Sequence, residues 1–329
     1  MRRKPLFRSA VAVVLALSCW SPAFAGQATV FVGAGGLSFT PSTLSANVGD
    51  QVVWVWSGSN HTVTSGTDGS SGGTGVFRST GSAAGQPAGT GFFWKVAGSG
   101  SVPYYCFPHF PTMVGTLNIN PAGTASVANY RITEVEFAGA AGADRVQITN
   151  LGTNGDFLDL FRVTPNSTAT TLGTGIFLGA NSSLTLHLNA SGTNDATNIY
   201  LPSIGDMGAA GSFALYVPNS TTGPGGSTAP ASLTDANQMV DYVEWGVAGQ
   251  AAQPNRATAV TAGLWNTGDV VDVTDLPNGG SGYSITFCGA ATDHGASSWQ
   301  KAHPNFGTSL LCTTAARTST WGRLKALYR

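Results

Sequence analysis

Charge is scarce in this 329-residue sequence: 15 Lys and Arg and 16 Asp and Glu make up 9% of it. So sparse a charge argues against a solvated disordered chain, and no run reaches the ~18 apolar residues of a membrane-spanning helix. Basic residues are nowhere gathered into a face, which argues against nucleic-acid binding. Four of the 15 bases (Arg2, Arg3, Lys4, Arg8) precede residue 26, leaving 11 bases against 16 acids, or −5, in the rest. Helix-length amphipathic patterns are missing before the last ten residues. No nucleophile elbow is present, and nothing else assembles a catalytic constellation, so no enzyme activity is expected. What the chain has instead is 44 glycines and many short alternating apolar segments between Gly, Asn and Ser turns, the signature of an all-β protein. The length suggests two domains.

Residues 1–25 read as a secretory signal. Their four bases form the positive start, Ala10 to Leu17 the apolar stretch, and Ala23-Phe24-Ala25 the small-x-small cleavage pattern. The mature protein is therefore expected outside the cytoplasm, in the periplasm, on the cell surface or secreted. Export makes the four cysteines informative. Cys19 leaves with the signal. Cys288 and Cys312 are close in sequence and far from Cys106, so they are the expected disulfide, and Cys106 has another task.

The text around Cys106 is the most specific in the sequence: Tyr104-Tyr105-Cys106-Phe107-Pro108-His109-Phe110-Pro111-Thr112-Met113. A thiolate, an imidazole three residues on and a thioether four beyond can converge from one tight loop. A soft thiolate with two imidazoles and a weak axial thioether suits copper in both oxidation states. The second imidazole must come from elsewhere. His61 stands 45 residues upstream, in a Gly/Ser turn that follows the β-branched and aromatic run Gln51-Val52-Val53-Trp54-Val55-Trp56.

Residues 26–120 resemble a plastocyanin-type cupredoxin, a type 1 copper domain. The carriers are Phe39-Thr40-Pro41, Gly49-Asp50-Gln51-Val52-Val53-Trp54, Val76-Phe77-Arg78-Ser79 and Pro103-Tyr104-Tyr105-Cys106. The resemblance implies a Greek-key sandwich with one copper held by His61, Cys106, His109 and axial Met113. The spacing differs slightly, since many plastocyanins have one more residue before the Met and amicyanins one fewer. Outer-sphere one-electron transfer is the implied activity, with Asn60 or the backbone beside Cys106 hydrogen-bonding the thiolate. Phe107, Pro108, Phe110 and Pro111 would form an apolar collar around His109 for a redox partner. Asp50 and Asp68 balance Arg78 and Lys95 in 26–120, so docking there relies on apolar contact without long-range steering. Residues 65–91 are Gly-, Ser- and Thr-rich and read as long mobile loops around one short strand at Val76-Phe77.

Pro121-Ala122-Gly123 marks the boundary to a second domain, 121–315. Here Ile132–Phe137, Arg145–Ile148 and Ser183–Leu188 alternate apolar with polar, as an antiparallel sandwich requires. The stretch resembles a lamin-tail-type immunoglobulin-like sandwich. Its carriers are Arg145-Val146-Gln147-Ile148-Thr149-Asn150 with Asp159-Leu160, Phe213-Ala214-Leu215-Tyr216, and Val240 to Gly246. That family implies an attachment module, binding the cell envelope or another protein. Its histidines, His187, His294 and His303, include no His-x-His pair, which argues against the further copper sites of a multicopper oxidase or copper nitrite reductase. The tail, 316–329, departs from the Gly- and Ser-rich composition before it. There Trp321, Leu324 and Leu327 recur every three residues among basic side chains, giving a short helix or a sorting signal. The leading functional reading is an exported blue copper electron carrier. The other is a structural or adhesive surface protein, or a copper carrier or store, whose cupredoxin module transfers no electrons.

Overall fold

The computed structural model describes residues 26–80, 84–123, 126–167, 169–218 and 233–307. The expected signal 1–25, Cys312 and the tail 316–329 lie outside the described residues. The chain is all-β, with strands stacked in sandwiches. The first holds β1 (Gln27–Val32), β2 (Phe39–Thr40), β3 (Thr43–Asn47), β4 (Gln51–Trp56), β5 (Thr64–Ser65), β6 (Gly91–Lys95), β7 (Gly100–Tyr105) and β8 (Val114–Asn120). One sheet runs β2-β1-β4-β6 and the other β3-β8-β7-β5. β1 lies parallel to β4 and β3 parallel to β8, a crossed connectivity that a simple meander lacks. Between the sheets Trp54 packs against Phe77, Phe92 and Tyr104 at ring separations of 4.9, 5.4 and 5.7 Å.

The short strand expected at Val76-Phe77 does not form. Phe77 is buried in the core, but its amide and that of Val76 donate to Ser65 Oγ, and pairing is reduced to a single Thr64–Arg78 bridge. One hydroxyl has taken the place of a ladder. Nor is the first part of this Gly/Ser-rich stretch detached: the Tyr105 hydroxyl bonds the Ser70 carbonyl and lies 3.0 Å from the Asp68 carboxylate.

The second sandwich holds β9 (Tyr130–Glu136), β10 (Arg145–Asn150), β11 (Asp156–Phe157), β12 (Arg162–Pro165), β13 (Thr170–Thr171), β14 (Phe177–Leu178), β15 (Ser183–Leu188) and β16 (Asn198–Leu201). It continues with β17 (Gly211–Tyr216), β18 (Met239–Gly246), β19 (Val271–Asp272), β20 (Ser284–Phe287) and β21 (Trp299–Ala302). A six-stranded sheet β16-β15-β10-β9-β20-β21 faces a five-stranded sheet β13-β12-β17-β18-β19. Arg131 crosses the interior: it is paired with Asp241 at 2.9 Å, donates to the carbonyls of Ala291 and Asp293, and lies over Phe287. The sequence pattern missed α1 (Arg256–Thr261), because six residues are too short to show a helical period.

The two sandwiches share apolar packing. Val52, Trp54 and Trp56 of β4 face the first core, while Val53 and Val55, on the other face of the same strand, belong to the second core. Phe31 and Phe93 pack there too, and Phe31 meets Phe157 edge-on at 4.8 Å. Polar bonds complete the seam: Gln51 Nε2 donates to the Asn237 carbonyl at 2.6 Å, and the Tyr130 amide donates to Gln27 Oε1.

Asp156 sits at the same seam, opposite Thr29. Burial raises its carboxyl to about 7, against the N–H groups of Phe157 and Thr29 that hold it down. A carboxyl raised above its unfolded value of ~3.9 keeps a proton that the unfolded chain has lost, so its contribution to stability falls as pH rises from about 4 to 7. Asp156→Asn, which mimics the protonated form, is expected to gain roughly 1–3 kcal/mol at pH 8 and little at pH 4.5. Calorimetric melting at both pH values checks this, and an equal change at the two would show that Asp156 does not titrate in that window.

Candidate metal centre

β4 ends at Trp56 and delivers the chain into the turn that carries His61. The turn is pinned through its backbone. The Trp56 indole N–H donates to the His61 carbonyl at 2.8 Å, the Gln86 amide donates to the same oxygen, and the Asn60 amide donates to the Gln86 carbonyl. Asn60 takes a left-handed φ of 67°, a conformation asparagine tolerates better than most residues. On the other side of the sandwich β7 ends at Tyr105, and Cys106 leads into a single 3-10 turn, Phe107–His109. The loop closes on itself: the Cys106 amide donates to the Met113 carbonyl, and the Met113 amide to that of His109, both at 3.0 Å. Two independent elements thus aim their side chains at one point.

Cys106 Sγ lies 3.3 Å from His109 Nδ1 and 3.8 Å from His61 Nδ1, and the two Nδ1 atoms are 3.2 Å apart. A circle through three atoms with these separations has a radius of about 2 Å, the length of a metal–imidazole bond. Among the described residues this is the one cluster of His, Cys, Asp or Glu atoms placed to hold a metal ion. His61, Cys106 and Met113 are buried, whereas His109 is half-exposed. Cys106 is a free cysteine.

Residues 27–120 match the copper binding proteins of the plastocyanin/azurin family. Similar solved structures include a purple cupredoxin from Nitrosopumilus maritimus, 22% identical over 28% of this chain and 99% of that one, with a TM-score of 0.24. Another is the oxidised plastocyanin of Dryopteris crassirhizoma, 21% identical over 28% of this chain and all of that one, TM-score 0.21. A third is auracyanin A, a "blue" copper protein of Chloroflexus aurantiacus, 16% identical over 29% and 98% of the two chains, TM-score 0.23. No curated protein matches the chain.

The donor set of this copper-binding domain fits one copper: two nitrogens and one sulfur in a triangle, with a soft thiolate that redox-silent hard cations do not favour. In the free protein the electrostatics act on metal capture in opposite directions. Burial, and then the charge of neighbouring His109, hold the His61 imidazole below its ordinary pKa, so its lone pair is available. Burial pushes the Cys106 thiol up, and a bound cation would displace that proton.

Of the two expected partners of the sulfur it is backbone that serves, the amides of Thr62 and of His109, and not Asn60, which is exposed. The Thr62 amide donates to Cys106 Sγ at 3.2 Å, and the Thr62 hydroxyl, 3.9 Å from the sulfur, accepts from the Phe107 amide at 2.7 Å. Thr62 therefore ties the His61 turn to the cysteine loop. Nothing in the sequence marks it apart from its place beside His61. His187 and His303 stack on Tyr200 and Tyr283 in the second sandwich, and His294 is also placed there, so none joins the copper cluster.

Gly33 is equally unmarked. A Cβ at this position would lie 2.5 Å from His61 Cδ2 and 2.6 Å from Nε2, and its φ of +75° disfavours any side chain. The outer edge of the imidazole rests on bare backbone, which turns Nδ1 toward the sulfur. Gly33→Ala is expected to displace His61, shift the visible spectrum of the copper form and weaken copper retention at least tenfold. An unchanged spectrum and affinity would mean that the ring is held without this contact.

The expected collar is present in part. Pro108, Phe110 and Pro111 are exposed around half-exposed His109, while Phe107 is half-buried. Phe110 also packs on the Gly69 turn and on Tyr105, at a ring separation of 5.2 Å. Leu37 and Val114 are further exposed apolar residues of the same domain.

Proposed function

We propose that the protein is an exported type 1 copper electron carrier whose copper would be held by His61, Cys106, His109 and Met113. The observation that carries this reading is the convergence of two Nδ1 atoms and one sulfur on a point about 2 Å from each, in loops pinned by backbone hydrogen bonds. Copper bound there supplies a one-electron couple. The chain's own residues do the rest: the two loops hold the donors in fixed positions, so little need reorganise on electron transfer, and Thr62 N–H tempers the charge on sulfur. His109, half-exposed among Pro108, Phe110 and Pro111, is the exit toward an apolar partner surface.

The second sandwich serves attachment, to the cell envelope or to another protein, as its resemblance to lamin-tail domains implies. Cys288 and Cys312 pair in the exported protein and fasten the C-terminal segment. Among the described residues no helix is long and apolar enough to cross a membrane.

Adding Cu(II) to the purified protein tests the reading. One equivalent is expected to give an intense visible thiolate-to-copper band that saturates there. Tight copper uptake without such a band would support the storage or carrier reading instead.

A further inference from the structure

The six-stranded sheet of the second sandwich carries a groove of about 760 Å³ on its polar outer face, beside β10, β15 and β16. The register sets its floor. Arg145 stands opposite His187, and Thr149 opposite Ser183, while β16 brings Asn198 beside Thr185. One wall is braced by the Arg145 guanidinium, 4.3 Å from the centre of the Phe306 ring. The other is braced by His187, stacked on Tyr200 at 4.4 Å and 12°, with Nε2 held by Asn198 Oδ1 at 2.9 Å. The rim at Gly307 is tied down by its amide, which donates to Gln147 Oε1. These groups are fixed before any ligand arrives.

The wall chemistry selects the ligand class. Among the described residues no carboxylate lines the groove, so a cation finds no partner there. Its one guanidinium is already paired with Glu136 at 2.7 Å, so a polyanion finds little free charge. Leu151 and Phe306 are too little apolar surface for a lipid chain. What remains is a row of hydroxyls and amides set beside planar groups, of which Thr149, Thr197 and Asn198 are already bonded within the protein, while Asn181 and Ser182 are exposed along the groove. That is the complement of a neutral sugar, whose hydroxyls also donate and accept, and whose C–H faces lie flat on rings.

We propose that this groove binds a neutral oligosaccharide segment, free or as part of an envelope polysaccharide. The proposal deepens the attachment role given above to the second sandwich, and it stands apart from the copper chemistry.

The test is calorimetric titration of the exported form of the chain with cellohexaose and with chitohexaose, and with oligogalacturonate as the anionic arm. Saturable binding of at least one neutral sugar is expected, weakened tenfold or more by His187→Ala and by Thr197→Ala, with the copper band unchanged in both. Melting curves identify a variant that fails to fold, and the other variant then decides. Four results would overturn the proposal: no saturable binding of either neutral sugar, binding of oligogalacturonate alone, binding indifferent to the folded variants, or binding only after truncation at Gly307. The last would mean that the chain's own C-terminal segment fills the groove. Loss of the copper band with sugar binding intact would count against the electron-carrier reading only.

Discussion

Replacing Cys106 by Ser is expected to bring the visible band of the copper form to baseline while the sandwich stays folded. The hydroxyl cannot supply a soft, polarisable thiolate, so the charge-transfer transition has no donor. The fold should tolerate the exchange because Ser is close in size and can still accept the Thr62 amide that now reaches the sulfur at 3.2 Å. Absorbance and far-UV circular dichroism on the same sample separate the two effects. A variant that remains blue would show that the sulfur is no ligand. Met113→Leu is the companion experiment. Met113 is fully buried at the closing end of the ligand loop, so Leu fills nearly the same space. Colour should persist and the reduction potential rise, since a weak donor to the oxidised metal has gone. An unchanged or lower potential would remove Met113 from the axial position.

Val53→Asp is expected to destabilise both sandwiches together, by about 3–5 kcal/mol. Val53 is inaccessible to solvent and points from β4 into the packing shared with the second sandwich. A carboxylate there would be desolvated with no partner arranged for it. Val247→Asp is the control, since half of Val247 is already exposed and the same charge there should change little. Differential scanning calorimetry reads the result. If the second sandwich melts at its original temperature in Val53→Asp, the two cores are energetically separate.

The chemistry of the centre was more legible than its setting. Cys106, His109 and Met113 stand in one short loop, and a thiol, an imidazole and a thioether so close together have few other uses. His61 could be found because a turn after a long apolar strand is where a loop ligand belongs. Thr62 and Gly33 could not. Each acts through geometry, an amide aimed at sulfur and an absent side chain beneath a ring, and Gly and Thr are everywhere in this sequence. The all-β fold followed from alternation in segments such as Ser183–Leu188, but the seam between sandwiches did not. Its signal was present in β4, where Val52 to Trp56 has no polar residue on either face. A strand with one wet face would have alternated, so the run itself implied burial on both sides. The missing strand at Val76-Phe77 has the opposite cause: the residues suit a strand, and Ser65 Oγ outcompetes any neighbouring ladder for their amides.

That doubly buried strand also governs aim. A domain on a slack linker would sweep its reactive opening through all bearings, and a partner would wait for the right one. Here the copper loops follow the far ends of β4 and β7, while the second sandwich grips the outer face of the sheet that holds β4 through Phe31, Val53, Val55 and Phe93. The second sandwich is a bracket and not a leash. If the second sandwich seats on a surface as proposed, His109 keeps a fixed tilt to that surface, and more of the rotational search falls to the partner. Neighbouring copies seated alike would share that tilt, and their effective concentration would be set by seating density and not by diffusion in bulk.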